Sequence, residues 1–156
     1  ENYQLPVYAI VKTSNFMGHM LEFKKKKKIE RVLLFGHLGK LVKAAAGIFY
    51  THNRIADARM ETLAAYAGAM GLPADGIRRI LEAAATEAVI PILNEYGIGQ
   101  EFYNKIAARA SERAIRYVFN EMQIGTVLVT LTGEILGMDK MAAEIGSDLG
   151  WNIRSL

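Results

Sequence analysis

The sequence predicts an α/β fold: a three-layer, Rossmann-like open sheet, mostly parallel, with crossover helices and a helical C-terminal half. Three observations predict it. The first fifty residues alternate strand and helix signals, the order produced by parallel strands joined through helices. Gln100 to Met122 is the longest periodic stretch, with Phe102, Ile106, Ala110, Ala114, Val118 and Met122 stepping by four. Thr126 to Thr132 (Thr-Val-Leu-Val-Thr-Leu-Thr) is rich in β-branched residues and reads as a strand. The chain of 156 residues suits one domain over 1–156.

Each element has its own signal. Val7 to Val11 is a short β-prone run. Ser14 or Asn15 can then cap a helix through Phe16, Met20 and Phe23 into the lysines. Ile29 to Phe35 reads as a buried strand, Gly36-His37-Leu38-Gly39 as a tight turn, and Lys40 to Tyr50 as an alanine-rich helix. Asn53 to Gly71 keeps helical spacing at Ile55, Leu63, Ala67 and Met70, with Asn53 as N-cap. Pro73 begins the next helix, and Pro91 within Thr86 to Glu95 predicts a kink or an early start. Thr132-Gly133-Glu134 is a turn, and Asp139 to Asp148 a last short helix. Three strands are thin for this length, so Tyr96 to Gln100 or the tail at Ile153 are candidates for another.

Half of the residues (51%) are hydrophobic and 22% are charged, a balance that supports a buried core. The absence of cysteine excludes disulfide scaffolds, thiolate metal sites and cysteine nucleophiles. Three scattered histidines make no metal cage, so no protein-bound metal is expected. The net charge is +3, but Lys24 to Lys28 is a run of five lysines, and without it the balance falls to −2. The run reads as a solvated helix end. Aromatics do not interleave with it as base stacking requires, so neither nucleic acid nor membrane is an expected partner. The most apolar stretch, Val32 to Tyr50, is interrupted by His37, Lys40 and Lys43, and with no signal peptide in view the expected location is cytoplasmic.

Three polar constellations stand out. Gly36, His37, Gly39 and Lys40 sit where a strand hands over to a helix, where free N–H groups and the helix dipole favour anions, and Lys43 adds charge one turn on. The pattern is neither a Walker loop nor a G-x-G-x-x-G fingerprint, and a plain β–α turn explains it equally well. Thr51, His52, Arg54, Asp57, Arg59 and Glu61 crowd a second segment, where the plainer reading is an exposed helix face with an Arg54–Asp57 pair. Ser14, Asn15 and Gly18 follow the first strand at the equivalent position. Two such turns from neighbouring parallel strands would edge one cleft.

Three stretches go beyond a generic pattern: Ser14-Asn15-Phe16-Met17-Gly18, Gly36-His37-Leu38-Gly39-Lys40-Leu41-Val42-Lys43-Ala44-Ala45-Ala46-Gly47-Ile48-Phe49, and Thr51-His52-Asn53-Arg54-Ile55-Ala56-Asp57-Ala58-Arg59-Met60-Glu61. In this order and spacing they resemble the cobalt-precorrin-5B C-1-methyltransferases of anaerobic cobalamin synthesis, the CbiD family. Thr86-Glu87-Ala88 and Ile135-Leu136-Gly137 also look like landmarks of that family. The resemblance implies methyl transfer from S-adenosyl-L-methionine to C-1 of a corrinoid, giving cobalt-precorrin-6A, with the cobalt arriving inside the substrate. It implies cofactor contacts at Ser14, Asn15, Gly18, Gly36, Gly39, Asp57 and Glu61, and substrate contacts at Lys40, Lys43, Thr51, Arg54 and Arg59. His52 and His37 are the catalytic candidates.

Family members are about twice this length, so the resemblance marks a carboxyl-terminal domain whose partner is a missing amino-terminal domain or a further copy in a homo-oligomer. Asn53 stands where many relatives carry serine. The alternative function is a non-catalytic module of the same pathway that binds a polyanion or corrinoid.

Overall fold

In the computed structural model, residues 10–52, 54 and 56–150 are described. The chain opens with α1 (Met17–Lys26), β1 (Arg31–His37) and α2 (Leu38–Ala45). Four helices follow: α3 (Arg59–Ala69), α4 (Ala74–Leu81), α5 (Val89–Glu95) and the long α6 (Gly99–Tyr117). It closes with β2 (Gln123–Val129), β3 (Ile135–Met138) and α7 (Lys140–Asp148).

The expected three-layer, mostly parallel Rossmann-like sheet is not what forms. The sheet among the described residues has three strands in the order β1-β2-β3, with β1 parallel to β2 and β3 antiparallel to it. Between β1 and β2 the described residues form five α-helices and a 3-10 turn and no strand, so alternation stops after the first unit. The run at Val7 to Val11, counted as a strand, lies mainly outside the described residues, and Ile10 and Val11 are not in a strand. Tyr96 to Gln100 joins α5 to α6 instead of adding a strand, and Ile153 lies outside the described residues. β3 is antiparallel because a short turn closes it onto β2: Thr130 N–H donates to Glu134 O (2.8 Å) and Gly133 takes φ +91°.

The central strand shows how two helical layers share one short sheet. Ile124, Thr126 and Leu128 face α2 and α6, and the Thr126 hydroxyl meets that of Ser111 on α6 at 2.7 Å. Gly125, Val127 and Val129 face α7 with Leu33, Ile135 and Met138. This is the period-two alternation of a strand covered on both sides. Asp139 joins the layers: it caps α7 by accepting from Ala142 N–H (2.7 Å) and also accepts from Thr126 N–H of β2 (3.3 Å).

Helix ends follow local chemistry. The lysine run closes α1, with Lys28 at φ +55° and Ile29 N–H donating to Lys24 O. Lys25 pairs with Glu121 (3.0 Å) and lies over the Phe119 ring. α2 stops earlier than expected because Gly47, at φ +86°, ends it with Ile48 N–H bonded to Lys43 O. α5 starts at Val89, which puts Pro91 in the first turn, where its missing N–H breaks no bond. Among the described residues no helix is long and apolar enough to cross a membrane.

Gly125 lets α7 approach the sheet. A Cβ there would stand within 2.6 Å of Ala142 Cα, and that neighbour is backbone. Gly125→Ala is expected to lower stability by about 3 kcal/mol in urea unfolding, the scale of an overpacked core that cannot relax. An unchanged midpoint would show that α7 docks elsewhere.

Candidate functional site

Helix α2 organises the region. It is buried along nearly its whole length: Leu38, Leu41, Val42, Ala44 and Ala45 all enter the core. Its two lysines, one turn apart, reach into two different loops. Lys40 Nζ donates to Ser14 O (2.8 Å) and Asn15 Oδ1 (3.0 Å). Lys43 is only 1% exposed, and its ammonium donates to Thr51 O (3.1 Å) and Ala56 O (3.0 Å). A buried ammonium is tolerated when carbonyl oxygens replace its water. Burial still pulls the Lys43 pKa below the usual lysine value; Asp57 opposes that pull, while Arg59 and Lys40 add to it.

The structure brings Ser14, Asn15, Lys40 and Thr51 together. Asn15 O accepts from Thr51 N–H (3.1 Å), and the Thr51 hydroxyl reaches Asn15 Oδ1 (3.4 Å). Ser14 takes φ +47°, which turns its carbonyl toward Lys40. Gly18 is held nearby by its N–H to Phe49 O (3.1 Å) and lies under Tyr117, whose hydroxyl would be 2.8 Å from a Cβ there. Gly18 also lines a separate open cleft of about 310 Å³ with Glu22, Phe49 and Tyr117.

The described residues of the second constellation before Arg59 are not helical. α3 begins at Arg59, and the expected N-cap Asn53 lies outside the described residues. The Arg54–Asp57 pair therefore does not form, since helical spacing is absent there. Asp57 instead takes Arg59 in a fork, with Nε to Oδ1 and Nη2 to Oδ2 both at 2.7 Å. That guanidinium holds the Asp57 carboxyl below its ordinary range. His52 is exposed and accepts Arg54 N–H at Nδ1 (3.2 Å), leaving Nε2 to face outward chemistry. Glu61 is exposed in the first turn of α3.

The expected turn at Gly36 to Gly39 is absent as well. β1 runs through Gly36 to His37, and α2 starts at the next residue. His37 is both the strand's last residue and the helix N-cap, with extended backbone (φ −70°, ψ 154°) and no side-chain cap bond. Burial and the Lys40 charge push its pKa below the ordinary histidine value, partly offset by Glu87. Imidazole is then the neutral form at neutral pH.

Two residues that sequence reasoning left without a role stand beside His37. Thr86 packs against Gly39, and Glu87 accepts Leu131 N–H (3.0 Å) from the loop after β2. Their only signal in the sequence was the family landmark Thr86-Glu87-Ala88; nothing local marks a contact across 47 residues.

Lys43→Met keeps the side-chain length and removes the donor. The carbonyls of Thr51 and Ala56 then lose it, and unfolding is expected to become easier by about 2–4 kcal/mol. Faster protease cleavage within 51–58 would accompany the loss. Because the folded pKa of Lys43 lies below 10.5, the unfolded chain binds more protons as pH rises toward that value. This site's contribution to stability therefore grows with pH, and the gap between wild type and Lys43→Met should widen, as read by thermal unfolding at successive pH values.

Comparison with known proteins assigns the family. Residues 50–140 match the family described as the CbiD C-terminal domain. The chain is 45% identical over 152 residues to the cobalt-precorrin-5B C(1)-methyltransferase of Moorella thermoacetica, covering 97% of this chain and 42% of that protein. The enzyme of the same name from Desulfitobacterium hafniense is 43% identical over 148 residues, 95% of this chain and 38% of its own. That of Methanocaldococcus jannaschii is 40% identical over 128 residues, 82% and 35%. The chain thus spans about two fifths of the length of these relatives. No solved structure matches it significantly. On these matches the chain belongs to the CbiD family and corresponds to that family's carboxyl-terminal domain.

Proposed function

We propose that this chain is the carboxyl-terminal part of an enzyme that transfers a methyl group from S-adenosyl-L-methionine to C-1 of cobalt-precorrin-5B, in the cytoplasm, on the way to cobalamin. The observation that carries the reading is the 45% identity, over nearly the whole chain, to a protein named for that reaction. The arrangement around α2 supports it, because the Ser14-Asn15 turn and the loop at Thr51 converge on Lys40.

The residues present fit such a ligand pair. Gly39 carries no side chain where Thr86 and His37 come close, so both groups lie near the backbone of the first turn of α2. The methyl donor, when bound, supplies a methyl group already activated on a sulfonium sulfur. The chain's own part is orientation. Arg54 and Arg59 offer charge to the acetate and propionate arms of a corrinoid, and Asp57 and Glu61 offer carboxylates to amino or hydroxyl groups. Lys40 and Lys43 act in this reading by holding the two loops that carry those groups. His37, kept neutral by burial, is the better placed of the two histidines to accept a proton, with His52 at the exposed rim.

Calorimetric titration of the chain with S-adenosylmethionine, S-adenosylhomocysteine and a cobalt corrinoid tests the reading. Binding of at least one of them is expected, weakened about ten-fold or more in Lys40→Ala or Asp57→Ala. Silence toward all three from a folded chain would overturn the placement of the site in this domain. Corrinoid binding without methyl-donor binding would make this the substrate domain.

A further inference from the structure

We propose that the open cleft between α1, α6 and the segment after α2 is a nucleoside site, in which Glu22 accepts from the ribose hydroxyls and the Tyr50 ring stacks on the base. The source of that nucleoside, the adenosine of the methyl donor, rests on the methyltransferase reading above; the cleft does not. Neither the sequence pattern nor the family match assigns Glu22, Tyr50 or Tyr117 a role.

The cleft is open volume. It measures about 310 Å³ and is walled by Gly18 and Glu22 of α1, by Gly47, Phe49 and Tyr50 beyond α2, and by Tyr117 of α6. Small-molecule sites span roughly 300 to 1,000 Å³, so this one suits a single nucleoside and is too small for a corrinoid ring with its arms.

The carboxylate is oriented from within the protein. The Tyr117 hydroxyl donates to Glu22 Oε1 (2.8 Å). Burial and that bond hold the phenol above its ordinary pKa, so it stays a donor. Gly18 makes the pairing possible. A Cβ there would stand 2.8 Å from the Tyr117 hydroxyl and 3.0 Å from Phe49 Cβ, so a side chain at this position would push the phenol off α1. Glu22 follows one helical turn after Gly18, on the same face. One carboxylate oxygen is thus engaged by Tyr117, and among the described residues Oε2 has no hydrogen-bond or ion-pair partner.

The rings divide the remaining work. Phe49 and Tyr117 pack together with centroids 4.5 Å apart and form an apolar floor. Tyr50 is 45% exposed at the rim, and its ring is held edge-to-face by Phe16 at 5.1 Å and 86°. An oriented aromatic ring at the rim of a cleft is a stacking platform that any base can use.

The charges select a neutral ligand that carries hydroxyl donors. An anion would be repelled by Glu22. A cation would meet the Lys24 to Lys28 run at the end of the same helix and Arg113, whose Nη1 lies 4.0 Å from where a Gly47 Cβ would stand. A free carboxylate oxygen beside a stacking platform matches a ribose diol and its base, and an acidic side chain on ribose hydroxyls is how dinucleotide sites hold the sugar. The cleft also adjoins the Lys40 cluster. Asn15 O accepts Thr51 N–H, and the adjacent residues Phe16 and Tyr50 are the ring pair at the rim, so the two places share a wall.

The test titrates adenosine and 2′,3′-dideoxyadenosine into the ¹⁵N-labelled chain. Adenosine is expected to shift the Gly18, His19, Gly47 and Tyr50 amides saturably. It should bind about ten-fold more tightly than the dideoxy compound, the scale of a hydrogen bond to a charged acceptor. Glu22→Gln should remove most of that advantage and leave dideoxyadenosine binding unchanged. Tyr50→Ala should weaken both ligands about ten-fold, the scale of base–aromatic stacking. Both side chains are exposed, and unfolding midpoints near wild type keep the comparison valid. No saturable shift with adenosine, or equal affinity for the two nucleosides in wild type, overturns the site.

S-adenosylmethionine then separates this site from the methyltransferase reading. Binding that Glu22→Gln and Tyr50→Ala leave unchanged sinks the cleft and keeps that reading. Adenosine binding with silence toward S-adenosylmethionine keeps the nucleoside site and sinks the methyl donor as its source.

Discussion

The arrangement depends on the burial of α2 together with two lysines. A helix enclosed by core on nearly every side has no solvated face, so any cation on it must find oxygen acceptors within the protein. Lys43 finds them in the carbonyls of Thr51 and Ala56, and Lys40 in the Ser14 carbonyl and the Asn15 side chain. The requirement runs both ways. Loops far apart in sequence are drawn to α2 because their carbonyls are the available replacement for water. The same helix is short, since Gly47 closes it, and uncapped at its start, since β1 runs straight into it. Its two lysines thus tie the surrounding loops to the core.

Much of the fold was legible in the sequence, because most of its helices have explicit stops. Gly71, Pro73, Gly97 and the Asp139 cap mark ends that the structure keeps to within a few residues. β1 and β2 were readable from β-branched and apolar runs. The architecture was not, and the reason is physical. Strand order and strand number depend on pairings between distant segments, and the run at Val7 to Val11 looks locally like a strand whatever its surroundings. The five helices from α2 to α6 also carry apolar positions that satisfy two different partners, a sheet or each other. Periodicity cannot distinguish these. α6 resolves it by packing on both α2 and the sheet, which turns an expected repeat of parallel units into a helical layer over a small mixed sheet.

The site was legible in composition more than in geometry. The sequence marked polar groups in three segments, and the structure brings Ser14, Asn15, Lys40 and Thr51 into contact. It assigned the wrong local partners wherever it assumed helix. Asp57 pairs with Arg59 two residues on, a spacing that a helix face would never suggest. Lys43, read as a ligand for anions, is enclosed with loop carbonyls. Thr86 was passed over because a threonine in a short 3-10 turn carries no signal of what lies opposite it.

Those separated pieces meet for one reason. The parallel register sets His37 level with Val129, so the chain leaves β1 into α2 and leaves β2 into the 130–134 turn at the same height. A segment lying across both exits is held from two sides: Thr86 against the first turn of α2, and Glu87 on the N–H of Leu131. The Thr86–Ala88 turn therefore acts as a bridge whose position is fixed by the strand register and not by its own short helix. A shift of either strand would move one anchor without the other and pull Thr86 from Gly39. The geometry of this edge is for that reason a property of the sheet, which sets His37 at the start of α2 and Val129 at the start of the 130–134 turn.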